Sequence, residues 1–491
     1  VSGTAPARPP RTAGSAVRRR LLTPVRRGVE RLDRPVRDGL VRLLTVTALL
    51  SVLLLLARRT VQLPHGTGLV TAYGVAVLTG TACLLYLAYA EYDDPAVRPL
   101  RRRARGHAGF PALPARPRVS FLLAVKDEAG HVAACVRSMA ASDCPDLQIV
   151  VVDDGSRDGT GEILDALGEE LGITVLRLER NLGKKAALVR GCALADGDVL
   201  VFTDSDCLVA PDAVRRCVEA MVRHPDLGAV SGHCRALNAD SGLLARMQDV
   251  WYEGQFRVAK AAESALGAVT CVSGPLAAFR REAVINYLPA WAEDRFLGAP
   301  FRFATDRQLT GYVLGQAWRG RKLKRRHAGS PFVRDEDHPE RRWLVAYSRS
   351  ARVWTNVPAR WRPFLRQQVR WKKSFVRNLF FTGAFMWRRG PGPALLYYGH
   401  ALWVLAAPVL VFWHLVWAPL HWAAAGPTLL YLCGVLLKGT LWGLAYRIDH
   451  PGDPHWRHRP LMSLLSCCVL AWLLPWAALT LRRATWTRSP V

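Results

Sequence analysis

NLGKKAALVRGCALADGDVLVFTDSD, Asn181 to Asp206, runs from a polar loop through a helical stretch to an apolar strand ending in two carboxylates. A helix that returns directly to a buried strand is the repeating unit of a parallel sheet. Open sheets of this kind bind ligands at the carboxyl ends of their strands, where Asp204 and Asp206 stand. Lys184 opens the helix, so the ammonium and the helix N-terminus can both meet a phosphate. Read alone, it is also an ordinary surface lysine. The stretch predicts an α/β domain with a charged ligand site.

The neighbouring sequence repeats the pattern. "VSFLLAV" (Val119 to Val125), "QIVVVDD" (Gln148 to Asp154) and "TVLRLE" (Thr174 to Glu179) join "VLVFTD" (Val199 to Asp204) as short, β-rich, almost continuously apolar runs. Helical patterns separate them, which predicts a mainly parallel sheet covered on both faces. Asp153 and Asp154 open a second strand-turn-helix pocket, "VVDDGSRDGT" (Val151 to Thr160). A carboxylate there can accept from a base or ribose while the following amides face an anion. Asp204 and Asp206 repel each other unless a cation or donors compensate, and their hard oxygens suit Mg²⁺ or Mn²⁺ bridging to phosphates. Such a pair can equally end a strand in a capped turn.

The chain has 491 residues, room for two or three domains, and a net charge of +28. Its mean hydropathy is near zero only because apolar blocks at both ends flank a mixed middle. No zinc-finger, homeodomain or RNA-recognition pattern accompanies the charge, so nucleic acid is not the expected partner. Excess arginine instead suits cytoplasmic loops and anionic lipid. Residues 1–38 read as a disordered basic cytosolic tail, and 39–91 as two spans, Leu40 to Ala57 and Gly68 to Ala90. The basic run Arg98 to Gly106 places the middle block, 92–389, in the cytoplasm of a multi-pass plasma-membrane protein. Residues 390–491 hold about three to four further spans, Ala394 to Trp417, Pro427 to Tyr446 and Leu461 to Leu481. The last either re-enters, bending at Pro475, or is supplemented by a crossing near Pro419 to Ala425. "LRQQVRWKKSFVRNLFF" (Leu365 to Phe381) reads as an amphipathic interface helix whose part from Lys372 onward rests on headgroups. The 11 cysteines form no C-x-x-C pair and read as reduced thiols.

The order "VVDDGS", "NLGKKAAL", "FTDSD" resembles the family-2 inverting glycosyltransferases. "TCVSGPLAAFR" (Thr270 to Arg280), "ATDRQLT" (Ala304 to Thr310), "TNVP" (Thr355 to Pro358) and "QQVRWKKS" (Gln367 to Ser374) follow in that family's order and look like the hyaluronan and chitin-oligosaccharide synthase pattern. The resemblance implies a nucleotide-diphosphosugar transferase domain of the GT-A type, inserted between N- and C-terminal transmembrane helices. It implies a processive enzyme that transfers sugars from UDP-sugar donors to a growing polysaccharide and exports it. A lipid acceptor with single addition, or a chitin- or cellulose-like polymer, is the alternative. The oligomeric state is not legible.

Carried onto this chain, the resemblance makes Asp306, beside Arg307, the catalytic base. Asp153 or Asp154 holds the uridine, Lys184 lies near the donor, and Asp204 and Asp206 serve ribose and metal. Arg370, following Gln367, binds the pyrophosphate, and Trp371 lines the point where acceptor meets donor. Ser273, Gly274 and Pro275 form part of the acceptor-side wall. The chain departs from the pattern at Thr305, where relatives carry an acidic residue, and at Lys126, near the expected uracil. It also carries a polar insert, Arg325 to Arg342, with no evident purpose.

Overall fold

The computed structural model describes residues 68–100, 110–422 and 426–483. The expected basic tail, the first span and most of the basic run after Arg98 lie outside these residues. The four apolar runs are strands: β1 (Val119–Val125), β2 (Leu147–Asp153), β3 (Thr174–Arg177) and β4 (Val199–Thr203). They are followed by β5 (Cys207–Val209), β6 (Leu227–Ala236), β7 (Ala277–Arg280), the hairpin β8 (Arg295–Phe296) and β9 (Ala299–Pro300), and β10 (Leu344–Thr355). The helices used below are α1 (Gly68–Tyr86), α2 (Val132–Ala140), α3 (Thr160–Leu171), α4 (Lys184–Cys192), α5 (Ala213–Arg223) and α6 (Leu243–Glu253). After these come α7 (Thr305–Arg326), α8 (Trp361–Gly383), α9 (Pro391–Phe412), α10 (Gly426–Asp449), α11 (His458–Cys468) and α12 (Leu473–Leu479).

The described residues form an eight-stranded sheet in the order β3-β2-β1-β4-β7-β6-β10-β5. β1 runs parallel to β2 and β4, and β6 parallel to β10, while β7 and β5 run the other way. Every residue of β1 and β4 is buried. That is why these strands read as continuous apolar runs: with both faces covered, alternation has no purpose. The shared direction brings the carboxyl ends of β2, β4, β6 and β10 to one edge, the edge a ligand site needs.

Among the described residues, three helical segments are long and apolar enough to cross a membrane: Gly74–Glu91, Pro391–His421 and Gly426–Asp449. The first matches the expected second span. The C-terminal block departs from expectation in two places. Pro419 lies inside the continuous segment Pro391–His421, so no separate crossing begins there. The last segment is broken between Cys468 and Leu470, with a bend of 41°, and not at Pro475. Pro475 falls in the first turn of α12, where its missing N–H leaves no bond unmade. All eleven cysteines are free. The insert is fastened to the flank of the sheet domain. Asn286 Nδ2 donates to the carbonyls of Phe332 and Glu336, and Asn286 Oδ1 accepts from His338 N.

The end of α10 is anchored to the sheet by buried charge. Asp449 accepts from Tyr89 OH at 2.7 Å and pairs with Arg257 at 2.9 Å and Arg349 at 3.0 Å. Tyr89 belongs to the segment Gly74–Glu91 and Arg349 to β10, so one carboxylate joins two apolar helical segments to the sheet. Removing it leaves the buried Arg257 and the half-buried Arg349 without this carboxylate. Asp449→Asn is expected to cost about 3–5 kcal/mol of stability, read as a lowered Tm of the detergent-solubilised protein.

Candidate active site at the carboxyl edge of the sheet

The site begins where β4 stops. Thr203 Oγ1 donates to the Pro275 carbonyl at 2.7 Å, which holds the Ser273–Pro275 turn against the strand end. Asp204 follows and pairs with Lys184. Burial opposes a charge on Lys184, but Asp204 outweighs it and raises the ammonium above the ordinary lysine value. A Cβ on Gly274 would stand 2.8 Å from Asp204 Oδ2, so only glycine lets the carboxylate lie against this turn. Asp206 Oδ1 accepts from Thr355 Oγ1 at 3.3 Å, from the end of β10. Burial first, and then Asp204, push the Asp206 carboxyl up to about 6. Ligand atoms of Asp204, Asp206 and Cys207 all lie within 4.8 Å of one another.

Asp154 does not face the cleft freely. Its carboxylate accepts from the backbone amides of Leu182 at 2.6 Å and Gly183 at 2.9 Å. It therefore fastens the loop that presents Lys184, and Gly183 supplies the left-handed φ of 90° at the helix start. Asp153 Oδ1 accepts from Ser156 N at 2.9 Å, and its other oxygen lies 3.9 Å from Arg177 Nε. Asp153 lines an open cleft of about 710 Å³ with Lys126, Arg157, Arg177 and Arg180. Of the two expected alternatives, Asp153 borders this space, and Asp154 is spent on the loop. Lys126 is turned away from a stacking role, donating to the Gly155 carbonyl at 3.1 Å and pairing with Asp127 at 3.0 Å.

Asp306 lies in the first turn of α7, after Ala304 in the left-handed region at φ 60°. Its Oδ1 accepts from Arg307 N at 2.8 Å, and its Oδ2 accepts from the Cys271 thiol at 3.3 Å. Burial and then Asp306 push that thiol up to about 11, so it stays a neutral donor. Thr310 Oγ1 accepts from Val272 N at 2.9 Å, tying α7 to the chain that leads into Ser273. Burial opposes charge on Arg307, but Cys271, Asp306 and Glu263 more than offset it and raise its value.

On α8, burial lowers Arg370, and Asp204 and Asp206 partly offset this, so the guanidinium lies within electrostatic reach of both carboxylates. Trp371 stacks on Trp251 with centroids 5.5 Å apart and tilts against Tyr252 at 6.3 Å. Gln367 Oε1 is buried with no hydrogen-bond partner among the described residues. The expectation for the second half of α8 needs correction. Lys373 and Arg377 are buried: Lys373 donates to the Arg483 carbonyl at 3.0 Å, and Arg377 pairs with Asp294 at 2.6 Å. Lys373 and Arg377 thus point into protein, and Arg377 makes a charge-assisted bond to a buried carboxylate there. Cys271, Thr355, Trp251 and Tyr252 were not singled out from sequence. Thr355 sat in a quoted motif, but the Trp-Tyr pair sits in a plain amphipathic helix.

Because Asp154 holds the Lys184 loop through two amides, Asp154→Ala should speed hydrogen exchange at Leu182 and Gly183. The lost bonds predict about 1–3 kcal/mol of local destabilisation, with β1 and β4 protection unchanged.

Residues 120–288 match the family model described as Glycosyl transferase family 2. An N-acetylglucosaminyltransferase of Azorhizobium caulinodans is 31% identical over 271 residues, 54% of this chain and 62% of that protein. A hyaluronan synthase of Streptococcus pyogenes is 28% identical over 319 residues, 64% of this chain and 66% of that protein. The chain thus spans less than two thirds of these curated relatives' lengths. Among solved structures, the mannosyltransferase PcManGT from Pyrobaculum calidifontis, in complex with GDP-Man and Mn²⁺, is 22% identical with a TM-score of 0.47. That match covers 83% of this chain and 98% of the other. The mainly parallel sheet with its acidic strand end is the GT-A fold, and residues 120–288 within it carry the match to glycosyl transferase family 2.

Proposed function

We propose that the protein is a membrane-embedded, inverting glycosyltransferase that moves sugars from UDP-sugar donors to a growing polysaccharide, in the manner of a hyaluronan or chitin-type synthase. One observation carries the reading. Asp204 pairs with Lys184 at the sheet edge beside Asp206, Arg370 from α8 lies within electrostatic reach of both carboxylates, and Asp306 is tied to the Cys271–Ser273 turn from the other side. The family match and its hyaluronan synthase and N-acetylglucosaminyltransferase relatives support it. Apolar helices on both sides of the domain would take the polymer outward through the plasma membrane, with the domain cytoplasmic.

In this mechanism the acceptor hydroxyl gives its proton to Asp306 as its oxygen bonds to the donor's anomeric carbon, and the bond from that carbon to the nucleotide diphosphate breaks. A single displacement with one carboxylate inverts the centre. Lys184 and Arg370 stabilise the charge gathering on the leaving diphosphate. Ser273, Gly274 and Pro275 border the acceptor, Trp371 closes the junction of donor and acceptor, and Asp153 binds the nucleoside. The buried acceptor on Gln367 beside Arg370 suits a ligand donor.

Asp204 and Asp206 fit a hard divalent cation. Two carboxylates this close, one of them raised by burial and then by its neighbour, gain from a shared positive charge. Cys207 is a poor ligand for Mg²⁺ or Mn²⁺, because burial keeps its thiol protonated. The ion would neutralise charge on the diphosphate as it departs.

The test is UDP release by the purified full-length protein with each UDP-sugar, singly and in pairs, with product length measured. Long chains are expected. A single adduct on lipid would overturn the polymer reading, and no UDP release with any donor would overturn the reaction class. Asp306→Asn should lower turnover about a hundredfold to ten-thousandfold, and unchanged turnover would remove Asp306 as base. Asp206→Asn should raise the Mn²⁺ concentration needed for half-maximal rate, whereas Asp306→Asn should leave that concentration unchanged.

A further inference from the structure

Behind the proposed active site lies a buried charge cluster to which no role has been given. Asp294 Oδ2 pairs with Lys185 Nζ at 3.1 Å, and Asp294 Oδ1 with Arg377 Nη2 at 2.6 Å. Lys185 Nζ also donates to Gln308 Oε1 at 2.5 Å and to the Phe301 carbonyl at 2.9 Å. The side chains of Lys185 and Asp294 are 5% and 3% exposed, so these bonds are not shared with solvent.

Each partner is a near neighbour of an active-site residue on a different element. Lys185 follows Lys184 at the start of α4. Gln308 sits two residues after Asp306 at the start of α7. Arg377 lies seven residues after Arg370, two turns along α8 and on the same face, about 10 Å away. Asp294 itself begins the segment that runs through the β8–β9 hairpin into α7, and its carbonyl accepts from Phe301 N at 2.8 Å. The cluster therefore joins the three helices that carry Lys184, Asp306 and Arg370.

We propose that Asp294 is a positioning residue: through Lys185, Gln308 and Arg377 it sets where the base on α7 stands relative to the diphosphate-binding groups on α4 and α8. The inference rests on the glycosyltransferase reading above and deepens it. Asp294 touches no substrate. Donor groups already gathered by Asp204 keep their local geometry without it, whereas the distance from base to donor does not. The two effects separate in kinetics.

The experiment uses full-length protein in detergent or nanodiscs. It measures kcat for UDP release, Kd for UDP in Mn²⁺, and Tm, for wild type, Asp294→Asn, Asp294→Glu and Arg377→Gln. Asp294→Asn should lower kcat about tenfold to a hundredfold, as misplacement by an ångström does, with Kd within about threefold of wild type. Asp294→Glu, which keeps the charge, should recover part of kcat. Arg377→Gln leaves the Lys185–Asp294 pair charge-balanced and should show the same split if Asp294→Asn does not fold. Unchanged kcat in the folded variants overturns the inference. So does a fall in kcat matched by the fall in Kd-competent, folded protein, because that is structural loss alone. Wild-type protein that releases no UDP overturns the function first, and this inference with it.

Discussion

Two carboxylates at the end of one strand repel each other, and the rest of the site is arranged around that repulsion. Lys184 neutralises one of them from the start of α4, the helix that precedes the strand. Thr355 donates to the other from the end of β10, and Arg370 on α8 lies within electrostatic reach of both. None of these three is close in sequence to Asp204 or Asp206. They meet because the sheet runs most of its strands one way and so delivers β4 and β10 to the same edge. The acidic pair thus depends on the fold for its compensation, and a cation adds to an arrangement already half balanced.

The fold was legible because burial on both faces writes itself into the strands. Val119–Val125 and Val199–Thr203 carry almost no polar residue, and both are wholly buried. The ligand edge was legible in the order of the elements: a helix that opens with lysine returns to a strand that ends in carboxylates. What sequence left open was which side chain is occupied. Asp153 and Asp154 are adjacent and chemically identical, yet Asp154 is consumed by the amides of Leu182 and Gly183. That pairing is set by a loop 28 residues away and has no local signature.

Helix α8 shows the opposite limit. Its basic, aromatic second half has the composition of a membrane-surface helix, and composition does not record a partner. Asp294, some 80 residues upstream, takes Arg377 into the protein interior. The same blindness hid Trp251 and Tyr252, which line Trp371 without belonging to any motif. The break before Leu470 was placed at the wrong residue because proline is the visible breaker, although in a first helical turn it breaks nothing.

The central claim is that the carboxyl edge of the sheet, completed by α8, binds a nucleoside diphosphate with a divalent ion. Thermal unfolding of the full-length protein tests this without any sugar or acceptor, because a ligand that binds only the folded state raises Tm. UDP with Mn²⁺ should raise Tm in wild type, UDP without the ion should do so much less, and Arg370→Ala should lose most of the rise. A rise that is the same with and without Mn²⁺, or that survives intact in Arg370→Ala, would contradict the account.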